Sequence, residues 1–501
     1  MVPEQAAART VISHRTRNCS ATRVTRLRLL TGLLPRLLIG ALAAGAWPGP
    51  AASDTVDPAV SQGGAGGTLP HIVLISVDTL RADRLSAYGN PAPTSPHIDA
   101  LLSAGARFNA ARTVEPLTGP ASASMLTSLY PHEHGSSRNG IPIRQGLRSL
   151  PKMLLHLGYV TVAFVSNWTL ADAQSGLAEH FDVYQGVFTK KRWLFWFGES
   201  DAEDVRSATI TWLEEEGAYP GQPLFLWVHF VEPHAPYKLH KAFAERLGVP
   251  PNGRASAMQR YDTEIAAVDD VIGQLLLDLE RYVDPANTLF IFTSDHGEAL
   301  GEHGYKGHGR HLFEEELRIP LGFTWRNRIP PATLDVPTSL VDLAPTVLGL
   351  LGAPGVPEWQ GQDWSAAVLA GEDVPADHPV YFQAHKGVAL GASGNAEVAD
   401  NKRRHGLLKV GVVQGNRKLV LDLNEDVLSV FDLPGGGAGS PLDYAGFESS
   451  PHTSGSPADA PPLLRQWQEL VEQGLAERDR SPPPKLSEET IEKLRSMGYT
   501  N

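Results

Sequence analysis

The chain has 501 residues, 42% of them hydrophobic and 20% charged, which excludes a disordered chain and fits one large domain with a smaller attachment, or two domains. Its formal net charge is −13, and because the first 52 residues carry seven Arg and one Glu, the remainder carries −19; so acidic a chain lacks the basic face that a nucleic-acid binder needs. The single cysteine, Cys19, falls in that basic leader, so disulfides, thiol catalysis and cysteine-held zinc are excluded from the rest.

Residues 1–52 have the pattern of an export signal. Arg9, Arg15, Arg17, Arg23, Arg26 and Arg28 form a basic stretch, LLIGALAAGAW follows Arg36, and PGPAASD offers small residues for cleavage. The expectation is a periplasmic or secreted protein. The alternative is an uncleaved anchor from Leu27 to Trp47, interrupted by Pro35 and Arg36, and membrane contact is expected only through this segment. Residues 53–69 are Gly-rich and polar and read as a tether.

The next stretch, HIVLISV (71–77), is a continuous β-branched run, the mark of a strand buried on both faces, and Asp78 follows it. In the segment 114–135, Pro120 suits the first turn of a helix. Thr118 is expected just before that turn, where its hydroxyl would either face free backbone N–H groups that bind oxyanions or serve as the cap. Residues 148–158 read as a helix and YVTVAFV (159–165) as a second strand. Trp193, Phe195 and Trp196 form an aromatic cluster that suits core packing, a membrane-surface contact or the entrance to a site. The strand PLFLWVHF (223–230) is followed by Glu232 and His234, and residues 258–282 carry Ile265, Val268, Ile272, Leu275 and Leu276 at helical spacing. The strand TLFIFTS (288–294) leads into Asp295 and His296, with His303, Lys306 and His308 beyond.

Alternating strands and helices over 70–375 predict a mostly parallel sheet sandwiched by helices. The strand candidates VYFQAH, LLKVGVVQ, RKLVLDL and LSVFDL then predict a smaller antiparallel sheet in a subdomain over 376–501. Residues 434–462 read as a loose loop, and helices are expected at 463–478 and 486–497. Ligands of open parallel sheets bind beyond the carboxyl ends of the strands. A lone Asp after a strand is as readily a cap or a turn residue. Three strands delivering Asp, His and Glu to one edge point instead to a metal site.

Several segments resemble the sulfatase family of the alkaline-phosphatase-like superfamily: IVLISVDTLRADRLSAYGNPAPTSPHIDALLSAGARF, PLTGPASASMLTSLYPHEHG, HFVEPHAPY, RYDTEIAAVDDVIGQLL and TSDHGEALGEHG, in the family's order. The later KLVLDLNEDVLSVFDL resembles its small sheet domain. The resemblance implies an α/β alkaline-phosphatase-like fold and a hydrolase of sulfate or phosphate esters acting on a small anionic ester. It assigns Asp78, Asp295 and His296 as metal ligands, Thr118 as nucleophile and inner ligand, and His234 as the residue that holds the transferred group or supports the leaving group. Arg81 matches an arginine of the opening motif. Glu232, His303, Lys306 and Arg81 are candidates for a second metal or for substrate; for Glu232 a peripheral surface role is as good a reading.

The departures from the family pattern carry information. Thr118-Gly119-Pro120-Ala121-Ser122 stands where sulfatases have a C/S-x-P-x-R pattern whose first residue is oxidised to formylglycine. Oxidised threonine would be a ketone, so formylglycine is not expected. Thr79 replaces a second aspartate, leaving one metal ligand missing or replaced, and His308 falls where a lysine is usual. These features resemble the threonine-nucleophile branches, the nucleotide pyrophosphatase-type phosphodiesterases and the phosphoethanolamine transferases. Phosphodiester, phosphonate or phosphate esters are therefore expected over sulfate. A group transferase, or a binding protein that kept the fold and lost the activity, are the alternatives. Oxygen ligands with one histidine suit Ca, Mg or Mn; adding His234, His303 or His308 would make a second site, with Zn as a candidate. The sequence does not specify an oligomeric state.

Overall fold

The computed structural model describes residues 68–192, 196–199, 201–217, 221–250, 254–374, 377–386, 406–433, 448, 451 and 453–478. The expected leader, most of the tether, the aromatic side chains at 193–196 and the helix at 486–497 lie outside them.

The four apolar runs form the centre of an eight-stranded sheet. In chain order its strands are β1 (His71–Val77), β2 (Ala106–Phe108), β3 (Val160–Val165), β4 (Val183–Gly186), β5 (Leu224–Phe230), β6 (Thr288–Ser294), β7 (Leu321–Trp325) and β8 (Ala332–Leu334). They lie in the spatial order β8-β2-β7-β6-β1-β5-β3-β4. Only β7 runs against its neighbours, pairing antiparallel with both β6 and β2. The sheet is mostly parallel, as expected.

Alternation along β1 explains why its sequence is apolar from Ile72 to Ile75. Ile72 and Leu74 join one core, with the helices α2 (Thr118–Thr127), α3 (Leu150–His156) and α6 (Leu343–Leu350). Val73, Ile75 and Val77 join the other, with α1 (Pro96–Ser103), α4 (Ala202–Glu215) and α5 (Ala257–Leu279). Both faces of the strand are covered, so its polar residue Ser76 is buried and takes internal partners.

Local chemistry sets the helix limits. The side chain of Ser256 accepts the Gln259 amide and Gln259 Oε1 accepts the Ser256 amide, a reciprocal box that starts α5. The helix stops at Leu279, three residues before its expected end. α3 begins after Ser149, whose hydroxyl caps Lys152, with Pro151 in the first turn. Thr118 departs from expectation: it lies inside the first turn of α2, not before it. The carbonyl of Leu117 accepts the Ala121 amide at 2.9 Å, so Leu117 is the cap residue and the Thr118 hydroxyl is not spent on capping.

The smaller sheet is antiparallel: β9 (Val380–His385), β10 (Leu407–Gln414), β11 (Arg417–Asp422), β12 (Val427–Asp432) and β13 (Thr453–Gly455), in sequential order. β13 corrects the reading of 434–462 as loop throughout, because Thr453–Gly455 pairs with β12. The final described helix, α7 (Pro462–Arg478), packs Leu464, Trp467, Val471 and Leu475 on this sheet. Val114, Tyr130 and Val341 from the first 375 residues belong to the same core. No helix among the described residues is long and apolar enough to cross a membrane.

A buried ion network also joins the two sheets. Lys418 on β11, with no exposed surface, lies 3.0 Å from Glu314 and 2.6 Å from Glu448, and Glu314 also pairs with Arg112 at 2.8 Å. Burial alone would keep Glu314 protonated, but the Arg112 and Lys418 cations outweigh it and hold its carboxyl well below the usual range. Lys418→Met leaves two carboxylates buried without their shared cation. It is expected to lower stability by about 3–5 kcal/mol, read as a shifted urea midpoint at unchanged slope; a shift under about 1 kcal/mol would mean that the network contributes little.

Candidate active site

Adjacent parallel strands deliver the site. β1 lies between β5 and β6, so their carboxyl ends open side by side. Asp78 follows β1, with its amide held by the Phe230 carbonyl at 2.9 Å. The chain then turns at Thr79, whose φ of +57° is unusual for a β-branched residue. That turn aims the Thr79 amide at Asp295 Oδ1, 3.1 Å away. Asp295 Oδ1 also accepts the His296 amide at 2.8 Å, while Oδ2 is buried and makes no hydrogen bond among the described residues.

His296 is fixed by the Gly297 carbonyl, 2.8 Å from Nδ1. Since a carbonyl only accepts, Nδ1 carries the proton and Nε2 presents a lone pair. Burial pushes its pKa down to about 4 against the opposing charge of Asp295, so the ring is neutral at neutral pH. Nε2 lies 3.4 Å from Thr118 Oγ1, 3.7 Å from Asp78 Oδ1 and 3.6 Å from Asp295 Oδ2. Gly297 must be glycine, because a Cβ there would meet the Glu315 carbonyl oxygen at 2.0 Å.

Thr118 is fully buried at the start of α2, where the helix dipole is positive. Its hydroxyl is 3.4 Å from Asn167 Nδ2, which also donates a short bond to Asp78 Oδ2. Asn167 Oδ1 accepts from the amide and the hydroxyl of Thr169, which fixes which end of the amide faces the site. His229, within β5, points its Nδ1 side at Ser76 Oγ, 2.8 Å away, and its buried Nε2 makes no hydrogen bond among the described residues. An oxygen of Asp78, a nitrogen of His229 and an oxygen of Asp295 lie within 4.8 Å of one another. Two carboxylates and an imidazole, buried and gathered at that spacing, fit a divalent cation.

His308 and His234 complete the inner group. The His308 ring centroid lies 4.5 Å from that of His296 and 5.3 Å from that of His234. Glu298 Oε1 is 3.2 Å from His308 Nδ1. Burial opposes ionisation of Glu298, but the imidazoles of His308, His234 and His296 outweigh it and hold the carboxyl below its ordinary value.

The remaining candidates are engaged elsewhere. Arg81 pairs with Asp83 at 2.8 Å and with Glu302 at 2.5 Å. Glu232 accepts the Ala202 amide at the start of α4, and burial pushes its pKa up to about 7, with the charge of Glu264 adding to it. His303 bonds Glu315 at 2.7 Å and stacks on Phe313. Lys306 is exposed on a short ladder with Leu300. Sequence reasoning missed Asn167 and His229. Asn167 lies two residues beyond β3, where the search of strand ends would have met it. The signal for His229 is a polar residue in an otherwise apolar strand, which needs a buried partner.

A family model for sulfatases matches residues 70–353. The chain belongs to the sulfatase family. The ulvan-active sulfatase of Formosa agariphila is 26% identical over 336 residues, covering 60% of this chain and 65% of its own length. The chain thus spans less than two thirds of that relative. A structure solved in complex with its substrate D-glucosamine-2-N,6-O-disulfate superposes with a TM-score of 0.61 at 18% identity, covering 83% of this chain and 99% of that one. A phosphonate monoester hydrolase from Silicibacter pomeroyi superposes with a TM-score of 0.56 at 19% identity, covering 84% and 98%. At these identities the two structures establish the shared fold.

Two buried carboxylates at this sulfatase-family centre repel one another unless a cation lies between them. A divalent ion at a hundred times its Kd is expected to add about 2.7 kcal/mol to stability, seen as a chelator-sensitive rise in melting temperature. Asp78→Asn is expected to lose that rise; a variant that keeps it in full would remove Asp78 from the ligand set.

Proposed function

We propose that the chain is an exported, metal-dependent ester hydrolase with Thr118 as nucleophile, acting on phosphodiester, phosphonate or phosphate esters in preference to sulfate esters. The observation that carries this reading is the buried Thr118 hydroxyl at the first turn of α2, facing His296 and Asn167 beside the Asp78–Asp295 pair. Asp78, Asp295, His296 and Thr118 would hold a divalent cation, which would supply the charge that lowers the hydroxyl pKa and neutralises the ester oxygens.

Thr118 Oγ attacks phosphorus in line and gives its proton to solvent, so a threonyl–phosphorus bond forms while the bond to the ester oxygen breaks. His308 or His234 gives that oxygen a proton; Glu298 keeps the His308 ring oriented for the task. The same imidazole then takes a proton from water as the water oxygen bonds to phosphorus and the threonyl bond breaks; the freed Thr118 oxygen regains a proton from solvent as the acid leaves. Asn167 Nδ2 donates toward the charge that develops around Thr118 Oγ. Threonine cannot yield the formyl group on which sulfate hydrolysis in the family depends, and this supports the preference for phosphorus. The basic and apolar pattern of residues 1–52 supports export. Transfer to an acceptor alcohol is the second reading, favoured by His308 standing in place of a sulfatase lysine.

The test is a panel of aryl sulfate, phosphate monoester, phosphodiester and phosphonate ester, each with several metals, against Thr118→Ala. Turnover of a phosphorus ester is expected, falling at least roughly 10³-fold in the variant, the scale of losing a covalent nucleophile. A sulfate-only profile, or a variant as active as the parent, would contradict the proposal. Product that forms only with an added alcohol would select the transferase reading.

A further inference from the structure

We propose that His229 is an inner ligand of the cation, making the centre a two-imidazole, two-carboxylate site that takes zinc or manganese in preference to calcium. This rests on the metal-dependent reading above and adds a residue to it. Four observations carry it.

His229 has no exposed surface, and its Nε2 makes no hydrogen bond among the described residues. An imidazole nitrogen left so in a folded core carries a desolvation cost that a bound ligand removes. The ring also lies near the spacing that one ion requires. Ligand atoms about 2.0–2.2 Å from one ion stand roughly 3–4.4 Å apart, and His229, Asp78 and Asp295 offer atoms within 4.8 Å of one another.

The ring is held in place for this role. Ser76 and His229 are register partners on β1 and β5, and Ser76 Oγ meets Nδ1 at 2.8 Å. Ser76 Oγ also accepts the Trp227 indole N–H at 2.9 Å. The hydroxyl keeps a lone pair that can accept an Nδ1 proton, and in that tautomer Nε2 carries the lone pair a cation needs. Such an outer partner on the far nitrogen is what orients metal-bound histidines elsewhere.

The fourth observation is Thr79. Its hydroxyl is buried and makes no hydrogen bond among the described residues, and only its amide reaches Asp295. Thr79 stands where the family pattern has a second aspartate, so a charged oxygen donor is missing at that position, and His229 on the neighbouring strand offers a donor to the same pair of carboxylates. Replacing an oxygen donor by a second imidazole moves the site from the oxygen-rich sets that suit calcium toward those that suit first-row transition ions.

Crystals of the full chain grown with zinc, with diffraction recorded across the zinc edge, test this directly. The expected result is one ion about 2.0–2.1 Å from His229 Nε2. In solution, chelator competition should show Ser76→Ala and His229→Ala weakening zinc at least tenfold, the scale of a lost outer or inner partner, with calcium weakened less. An ion held by Asp78, Asp295 and His296 with His229 beyond 3 Å, roughly the limit of any coordination bond, would overturn the proposal and leave the hydrolase reading standing. A chain that retains no divalent ion at all would overturn both.

Discussion

Two negative charges brought together in a dry interior are the constraint that this molecule is built around. Asp78 and Asp295 have no exposed surface and share one edge of the sheet. Water cannot stabilise them there, so the surrounding chain supplies what water would have supplied. Asp295 receives two backbone amides on one oxygen, and Asp78 receives the Asn167 amide. Neutral imidazoles and a threonine hydroxyl close the remaining space. Each of these groups is held by a second contact on the side away from the carboxylates: Gly297 for His296, Ser76 for His229 and Thr169 for Asn167. The arrangement tolerates a cation and little else, since every donor that is neutral and fixed leaves the pair short of positive charge.

The second sheet takes part in that arrangement at one remove. Lys418 and Glu448 hold Glu314, the first of three consecutive buried glutamates at 314–316. Glu315 binds His303, and Glu316 accepts the Gly309 amide at 2.9 Å. Those two contacts pin the segment that carries His308. Closer to the nucleophile, Glu115 receives both the amide and the Nδ1 side of His385, at 2.8 and 2.9 Å, so the turn leading into α2 is tied to the end of β9. The small sheet thus fixes the loops on both sides of Thr118 without lending a residue to the inner group.

How much of this could be read in the sequence follows from how local each feature is. β1 was legible to the residue because a strand covered on both faces is largely apolar, and β3, β5 and β6 were legible within one residue for the same reason. The short strands β2, β7 and β8 were not, since three to five residues carry too little pattern and their pairing is decided by distant partners. Asp78, Asp295 and His296 stand at strand ends, where polarity after an apolar run is a signal. His229 stands inside a strand, where its polarity was masked by its neighbours. Arg81, Glu232 and His303 share the motifs of the site but found nearer partners: a carboxylate one turn away, a helix start and a buried glutamate. Proximity in sequence to a reactive residue does not settle which counter-charge a flexible side chain will meet first.

The shared core beneath the small sheet bears on how the chain can be divided. Trp467 of α7 packs edge-on against Tyr130 at 4.7 Å and His132 at 5.2 Å, just past the helix that carries Thr118. A fragment ending near residue 375 would expose Val114, Tyr130 and Val341 as one greasy patch and leave Arg112 and Glu314 without Lys418. The boundary at which the folding pattern changes is therefore not a place to cut. An expression fragment that keeps the chemistry has to run through Arg478, and a mutation on the outer helix reaches the reaction centre by loosening the floor on which it stands.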